Sequence, residues 1–366
     1  MRDAELTVSA PGRICLFGEH QDYLGLDVIA AAVDVRIRLA GRRRADSRVV
    51  FECPDVGERE EFDLSGEIPY LKPRDYLRSV VNVLRRAGVL LPSGWDVLVR
   101  GTIPINAGTS SSSALVIAWI RFIVEAAGLR ASVSPEQIAE WGYLAEVAEF
   151  GEPGGKMDHY ASAKGGALWL RFDDPLGLSE LPFPPGEFVL ADSREKKDTT
   201  GTLGSVKSRV LAGVAEIRKT LPRFSLKDEE DPAARPAIDR LPADPRRLVD
   251  AALRNRDLTR RGVALFRTQP FDDRLLGDLL NAQHRLLRDD LGISTPKIDR
   301  ILDAALAAGG LGGKINGSGG GGCAFVYGPG RAETVAEACA REGASPAVIR
   351  IDGGVRVEPG PSAGRP

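Results

Sequence analysis

The segment GGKINGSGGGGC, residues 312–323, runs directly into the apolar stretch CAFVY. Seven of its twelve residues are glycine. A flexible linker has no reason to lead at once into a strongly apolar strand. A glycine loop in that position suits close approach to phosphates or substrate through backbone N–H groups. It is not a Walker-type phosphate loop, because no Lys-Ser/Thr follows the glycines. Nor is it a dinucleotide fingerprint, because it precedes a strand instead of opening a helix.

Two further segments carry chemistry. PINAGTSSSSA, 104–114, stands before a stretch over 113–127 that is apolar on nearly all sides, the pattern of a buried helix. Unpaired N–H groups at a helix start, with the positive end of the helix dipole behind them, form an anion site. A serine hydroxyl there can also ligate Mg²⁺. Taken alone, the segment suits a polar turn with a serine cap equally well. GEPGGKMDHY, 151–160, follows a helix expected over 135–149, which opens on Ser134, Pro135 and Gln137 as N-cap, N1 proline and capping-box partner. Gly154 and Gly155 permit a tight turn that presents Asp158 at the mouth of the next strand. A carboxylate there suits the base role of phosphoryl transfer, whereas a lone Asp more simply caps a turn.

Composition narrows the field. A length of 366 residues is enough for two or three domains. The net charge of −2 gives no footprint for nucleic acid or an anionic membrane, and Arg42–Arg44 reads as a solvated hairpin tip. Cys15, Cys53, Cys323 and Cys339 show neither disulfide nor zinc spacing, and His20, His159 and His284 form no ligand pair. With no signal-peptide pattern and no membrane-length apolar run, a reduced, cytoplasmic protein is expected. Cys323 and the four tryptophans, Trp95, Trp119, Trp141 and Trp169, read as core.

Alternation predicts strands at 33–39, 48–53 and 95–100, and strand-like runs recur at 167–171, 187–192, 323–328 and 347–357. Helical patterns fill 203–219, 246–266, 271–289 and 296–308. The Pro-, Asp- and Arg-rich stretch 223–245 reads as a surface connection, and the tail from Pro359 as disordered. Interleaved strands, hairpins and helices predict an α+β class with two lobes and a cleft.

Together with APGRICLFGEHQDYLG, 10–25, these loops resemble the three signature motifs of the galactokinase, homoserine kinase, mevalonate kinase and phosphomevalonate kinase superfamily, the GHMP kinases. The Gly-Glu-His-x-Asp-Tyr turn and the Gly-Gly-Cys ending of the third loop are similar to galactokinases. LADSREKKDTTG, 190–201, and LLNAQHRLLRDDLGIS, 279–294, fit the same family. The resemblance implies a ribosomal-S5-like N-terminal lobe, 1–185, and a ferredoxin-like C-terminal lobe, 186–358, with the active site between them and a tail over 359–366. It also implies ATP and Mg²⁺ as cofactors and a small-molecule sugar as substrate, in a monomer or homodimer with no nucleic-acid or membrane partner.

Residue by residue, Asp158 matches the catalytic carboxylate, and Arg13 the arginine that keeps it ionised and steadies the phosphoryl group. Glu19, His20, Asp22 and Tyr23 match the turn that grips sugar hydroxyls. Gly108, Ser110, Ser111, Ser112 and Ser113 match the ATP-binding loop. Glu146 and Ser112 match the magnesium ligands. Gly317, Gly319 and Gly320 match the loop that closes over the site. Departures fall at Gln21, at Thr109, at the Leu-Gly-Leu after Tyr23, and at Lys156 and His159 beside Asp158. Lys156 either reaches a substrate anion or points to solvent. Asp198, Thr199 and Gly201 are kept, but the Tyr-Asn element that galactokinases place shortly after is missing. The expected activity is phosphorylation of the anomeric hydroxyl of galactose or a related sugar. Other substrates (arabinose, a uronic acid, a heptose, an amino sugar, mevalonate) and a silent sugar- and ATP-binding regulator are the alternatives.

Overall fold

The computed structural model describes residues 3–105, 107–183, 186–196, 199–227 and 232–359. Asn106 of the serine loop, Asp198 and the tail from 360 onward lie outside the described residues.

The chain runs β1 (Leu6–Phe17), β2 (Val28–Arg43), β3 (Arg48–Cys53), β4 (Glu58–Asp63), α1 (Tyr76–Arg86), β5 (Trp95–Gly101) and α2 (Ser111–Ala126). It continues through α3 (Pro135–Tyr143), α4 (Met157–Lys164), β6 (Ala167–Arg171), β7 (Gly177–Leu181), β8 (Phe188–Asp192), α5 (Thr199–Arg218) and α6 (Ala234–Asp239). Then come α7 (Ala243–Arg267), α8 (Asp273–Arg285), α9 (Pro296–Ala307), β9 (Gly312–Ile315), β10 (Cys323–Tyr327), α10 (Ala332–Arg341), β11 (Ser345–Ile349) and β12 (Arg356–Val357).

The described strands form two sheets. The first has eight strands in the order β12-β1-β2-β5-β3-β4, with β6 on the free part of β2 and β7 on β6. β2 is long enough to serve two neighbours on one edge: Ile37–Arg43 pair with β5 and Val28–Ala31 with β6. The second is a four-stranded antiparallel sheet, β11-β8-β10-β9. Fold class and lobe count are as expected: a mixed α+β chain with two sheets.

Against the first sheet lies α2, whose side chains from Ser113 to Val124 are almost all buried. Trp119 is fully buried and donates Nε1–H to Leu77 O at 3.1 Å, so its one polar atom is satisfied inside the core. Trp95 is equally buried, and Trp141 and Trp169 pack against the core from its margin. Arg42 and Arg43 lie exposed at the end of β2.

Several expected boundaries are redrawn. The helix expected over 135–149 is α3 followed by a π-type turn, Leu144–Ala148. Ser134 Oγ caps it by accepting from Gln137 N at 3.2 Å. The pattern over 271–289 likewise ends in a π-type turn, Leu286–Asp290. The strand-like run 347–357 is two strands in different sheets, because Gly353 and Gly354 turn the chain from one sheet to the other. A Cβ on Gly354 would sit 2.2 Å from Ala163 O, so the crossing hugs the backbone behind α4. The stretch 223–245 is more than a surface connection: α6 buries Ala237 and Ile238, and α7 has already begun at Ala243.

Candidate active site

β1 delivers Arg13, buried in the sheet, to the edge of the serine loop. Asp158 is not at the mouth of a strand as expected; it stands in the first turn of α4, a short helix. Arg13 Nε donates to Asp158 Oδ1 at 2.7 Å, and Arg13 Nη1 donates to Gly108 O. From the other side, Ser110 Oγ donates to Asp158 Oδ2 at 2.5 Å. Burial alone would raise this carboxyl, but the guanidinium and the hydroxyl outweigh it and hold Asp158 below its ordinary value. It is therefore an anion with both oxygens oriented.

The turn after β1 faces the same cavity, of about 170 Å³, which is lined by Arg13, His20, Asp22, Tyr23, Ser110–Ser113, Glu146 and Asp158 among others. His20 takes a left-handed backbone, φ +62°. Its Nε2 lies 3.1 Å from Ser318 O, and a carbonyl can only accept, so Nε2 carries the proton. In the neutral ring Nδ1 then accepts from Tyr23 Oη at 2.7 Å. Asp22 Oδ1 accepts from Tyr23 N at 2.9 Å. Burial and the negative charge of Asp158 push the Asp22 carboxyl up to about 6. Gly155 is what lets Asp22 stand there: a Cβ at 155 would fall 2.0 Å from Asp22 Oδ2.

Glu19, matched to the same turn, lines the cavity as well, and its carboxylate also has partners within the protein. It pairs with the fully buried Lys314 through Oε2 and accepts from Gly317 N at 2.7 Å through Oε1. Glu19 therefore ties the first motif to the glycine loop. Lys314 also donates to Ile315 O at 3.1 Å and lies over the Phe325 ring, which is how a lysine survives in the core.

Gly317, at φ +80°, meets the serine loop backbone to backbone: a Cβ there would come within 2.8 Å of Gly108 O. Asn316 fastens the junction, donating Nδ2 to Gly108 O at 2.8 Å and accepting from Cys15 N at 2.9 Å. Gly317 and Ser318 line the cavity, whereas Gly319 and Gly320 lie beyond it, with Gly320 N bound to Ile293 O. Lys314 and Asn316 went unremarked in the sequence, although both stand inside the glycine segment. A charged and an amide side chain next to a run of glycines was the available signal.

Glu146 and Ser112 both line the cavity. Glu146 sits on the π-type turn after α3, an insertion in the helical ladder of the kind that re-aims side chains at functional sites. His159 fixes it, Nε2 to Glu146 Oε2 at 2.8 Å, while His159 Nδ1 is buried without a partner. Among the described residues no group of three or more His, Cys, Asp or Glu side chains forms a metal cage. One carboxylate and one hydroxyl beside a serine-rich helix start suit a Mg²⁺ that takes its remaining ligands from phosphates and water, so the residues fit that ion. Lys156 neither reaches into the cavity nor points freely to solvent: it pairs with Glu140 at 2.7 Å. Thr109 and Gln21 are buried, and Gln21 Nε2 donates to Asp27 O at 2.8 Å.

A second cavity, of about 270 Å³, adjoins the first and shares Arg74, Tyr76, Ser111 and Ser112 with it. Its apolar lining comes from Ile37, Val56, Val99, Ile103, Ile105 and Leu115. The start of α2, the oriented Asp158 carboxylate, the turn after β1 and the second cavity thus adjoin one another.

Comparison with known proteins matches this arrangement along the chain. The model of the GHMP kinases N terminal domain covers residues 75–166, that of the GHMP kinases C terminal region 263–345, and the galactokinase galactose-binding signature 2–43. A mevalonate kinase of Thermococcus sibiricus is 31% identical over 362 residues, 96% of this chain and 97% of that protein. A galactokinase of Haemophilus influenzae is 30% identical over 345 residues, 89% of this chain and 85% of that one. The crystal structure of Lactococcus lactis galactokinase complexed with galactose superposes with a TM-score of 0.83 at 22% identity, covering 96% of this chain and 94% of that chain.

Proposed function

The chain belongs to the GHMP kinases, a family of phosphotransferases that use ATP, and from that premise we propose that it transfers the γ-phosphoryl group of ATP to a hydroxyl of a neutral sugar, the anomeric hydroxyl of galactose or a close relative. The observation that carries this reading is the Arg13–Asp158–Ser110 constellation facing His20, Asp22 and Tyr23 across one cavity.

In this reading the adenine base occupies the apolar cavity and the phosphates lie along Gly108 and Ser110–Ser113 at the start of α2. Glu146 and Ser112 hold Mg²⁺, which neutralises charge on the phosphate oxygens when bound. The substrate hydroxyl takes the place of Ser110 Oγ at Asp158 Oδ2, which orients it and accepts its proton as the phosphoryl group transfers. Arg13 keeps Asp158 ionised and sits beside the transferring group. Asp22, His20 and Tyr23 meet the remaining hydroxyls. A neutral polyol suits the end of the cavity beside Asp158, because Arg13, which lines it there, is already bound to that carboxylate. The galactose-binding signature over 2–43 supports the same reading.

Mevalonate is the second reading, favoured by the 31% identity to a mevalonate kinase. Its carboxylate would need a cation, and Lys207, 5.6 Å from the centre of the Tyr23 ring, stands close enough to supply one. The test is ADP release from Mg-ATP across galactose, arabinose, galactosamine derivatives, uronic acids, heptoses and mevalonate, with Asp158→Asn as control. Turnover on a neutral sugar that collapses in the variant supports the first reading. Turnover on mevalonate alone supports the second, and binding of sugar and ATP without turnover on any of them would mean a regulator.

A further inference from the structure

Arg74 stands where the two cavities meet and lines both. Its backbone is left-handed, φ +59°, a conformation that costs a non-glycine residue about 1 kcal/mol and that persists only where surroundings impose it. Its guanidinium forks onto Glu152: Nε donates to Oε1, and Nη2 donates to Oε2 at 3.0 Å. The side chains of Arg74 and Glu152 are 42% and 17% exposed. A pair this accessible contributes on the order of 1 kcal/mol or less.

The other lysine and arginine lining the two cavities are placed differently. Arg13 is buried between Asp158 and Gly108 O. Lys72 pairs with Glu60 and lies near Glu58. Arg13 is buried and Lys72 lines only the second cavity, so Arg74 is the accessible cation that borders both, and Ser111 and Ser112 share its wall.

Resting on the reading above, in which base and phosphates occupy these cavities, we propose that Arg74 is a nucleotide-phosphate ligand held in reserve by Glu152 and exchanged from that carboxylate onto the phosphate chain when ATP binds. A guanidinium fork matches two phosphate oxygens as well as it matches a carboxylate, and an ATP tetra-anion offers the greater charge. Glu152 is not stranded by the exchange, because Tyr76 Oη, 3.2 Å away, still donates to it. In this account Glu152 competes with the nucleotide for Arg74.

That competition sets the test. Binding of a magnesium complex of a non-hydrolysable ATP analogue is measured by calorimetry for the wild type, Arg74→Met, Arg74→Lys and Glu152→Gln, each checked for folding by its melting curve. Arg74→Met should weaken binding by about tenfold or more, the loss expected for a charge-paired arginine. Arg74→Lys should fall between, since it keeps the charge and loses the fork. Glu152→Gln should bind a few-fold more tightly, because it releases Arg74. If the pair were only a staple between the two segments, both neutralising variants would weaken binding together, and that result overturns the proposal. Unchanged affinity in Arg74→Met overturns it as well. Should that variant not fold, the sign of the Glu152→Gln effect decides alone. A wild type that binds no nucleotide would instead bring down the reading beneath it.

Discussion

Arg13 and Asp158 lie 145 positions apart in the chain and 2.7 Å apart in the fold, Nε to Oδ1. The contact forms because β1 and the first turn of α4 converge on the serine loop, which touches both: Gly108 O accepts from the arginine and Ser110 Oγ donates to the aspartate. Removing the carboxylate should therefore act on chemistry more than on binding. Asp158→Asn is expected to lower kcat by about 10²–10⁴-fold, the usual contribution of a positioned base, with little change in nucleotide affinity. Steady-state kinetics and calorimetry on the same preparation check it.

Arg13→Met should cost stability as well as rate. Asp158 is held below its ordinary value, so its ionised form stabilises the fold above the unfolded carboxylate pKa, near 4. That contribution is lost as pH falls through the still lower folded value. Without Arg13 the carboxylate is left unpaired, at a cost on the order of 3 kcal/mol near neutral pH. Urea titrations from pH 7 down to 3 should show the gap between wild type and variant narrowing with acidification.

Asp22 has the opposite sign. Its folded pKa, about 6, lies above the unfolded value, so the fold favours the protonated form and stability falls as pH rises from about 4 through 6. Asp22→Asn should melt above the wild type at pH 7.5 and at the same temperature near pH 4. Its KM for sugar should rise by about tenfold or more, through loss of a carboxylate that accepts from hydroxyls. A variant less stable at pH 7.5 would refute this.

Gly155→Ala tests the space beside Asp22. The added Cβ would fall 2.0 Å from Asp22 Oδ2, so that carboxylate must move and sugar KM should rise with the fold intact. Gly154→Ala is the control, since its Cβ meets Val147 Cγ2 at 3.4 Å and can be accommodated. Equal effects from the two would remove the packing explanation.

Lys314→Met should destabilise the protein by about 3–5 kcal/mol, the cost of leaving one partner of a buried pair uncompensated. Glu19 and Lys314 are both almost wholly buried. The double change Glu19→Gln with Lys314→Met should recover part of that loss, because neither member of the pair is then left charged in the core. Denaturant titrations of the single and double variants measure the coupling.

What the sequence made legible follows from periodicity and from motif chemistry. Alternation located β2 and β5, and all-round apolarity located α2, because each pattern is local. The residues of the first turn and the two loops were legible for the same reason. The ion pair of Glu19 was not legible because its partner, Lys314, is 295 positions away, and no local pattern says which carboxylate of a polar turn looks inward. Asp158 sits on a helix where a strand mouth was expected, since Gly-Gly-Lys suits either entry. The π-type turn that carries Glu146 was invisible for a different reason: one extra residue in a helical ladder leaves almost no trace in periodicity. His159 stood out as unusual beside Asp158, but only packing shows that it holds Glu146.

β12 closes the edge of the first sheet by pairing Val357 and Arg356 with Val8 and Ser9 of β1. The strand that carries Arg13 is thus covered on that edge by residues that leave the ribosome long after it does. While the chain is still emerging from the ribosome, β1 must wait with its outer hydrogen-bonding groups open, exposed to stray pairing with other nascent chains. Breaking the β12 pairing, even far from every residue that touches substrate, should therefore lower soluble yield before it lowers the specific activity of what survives.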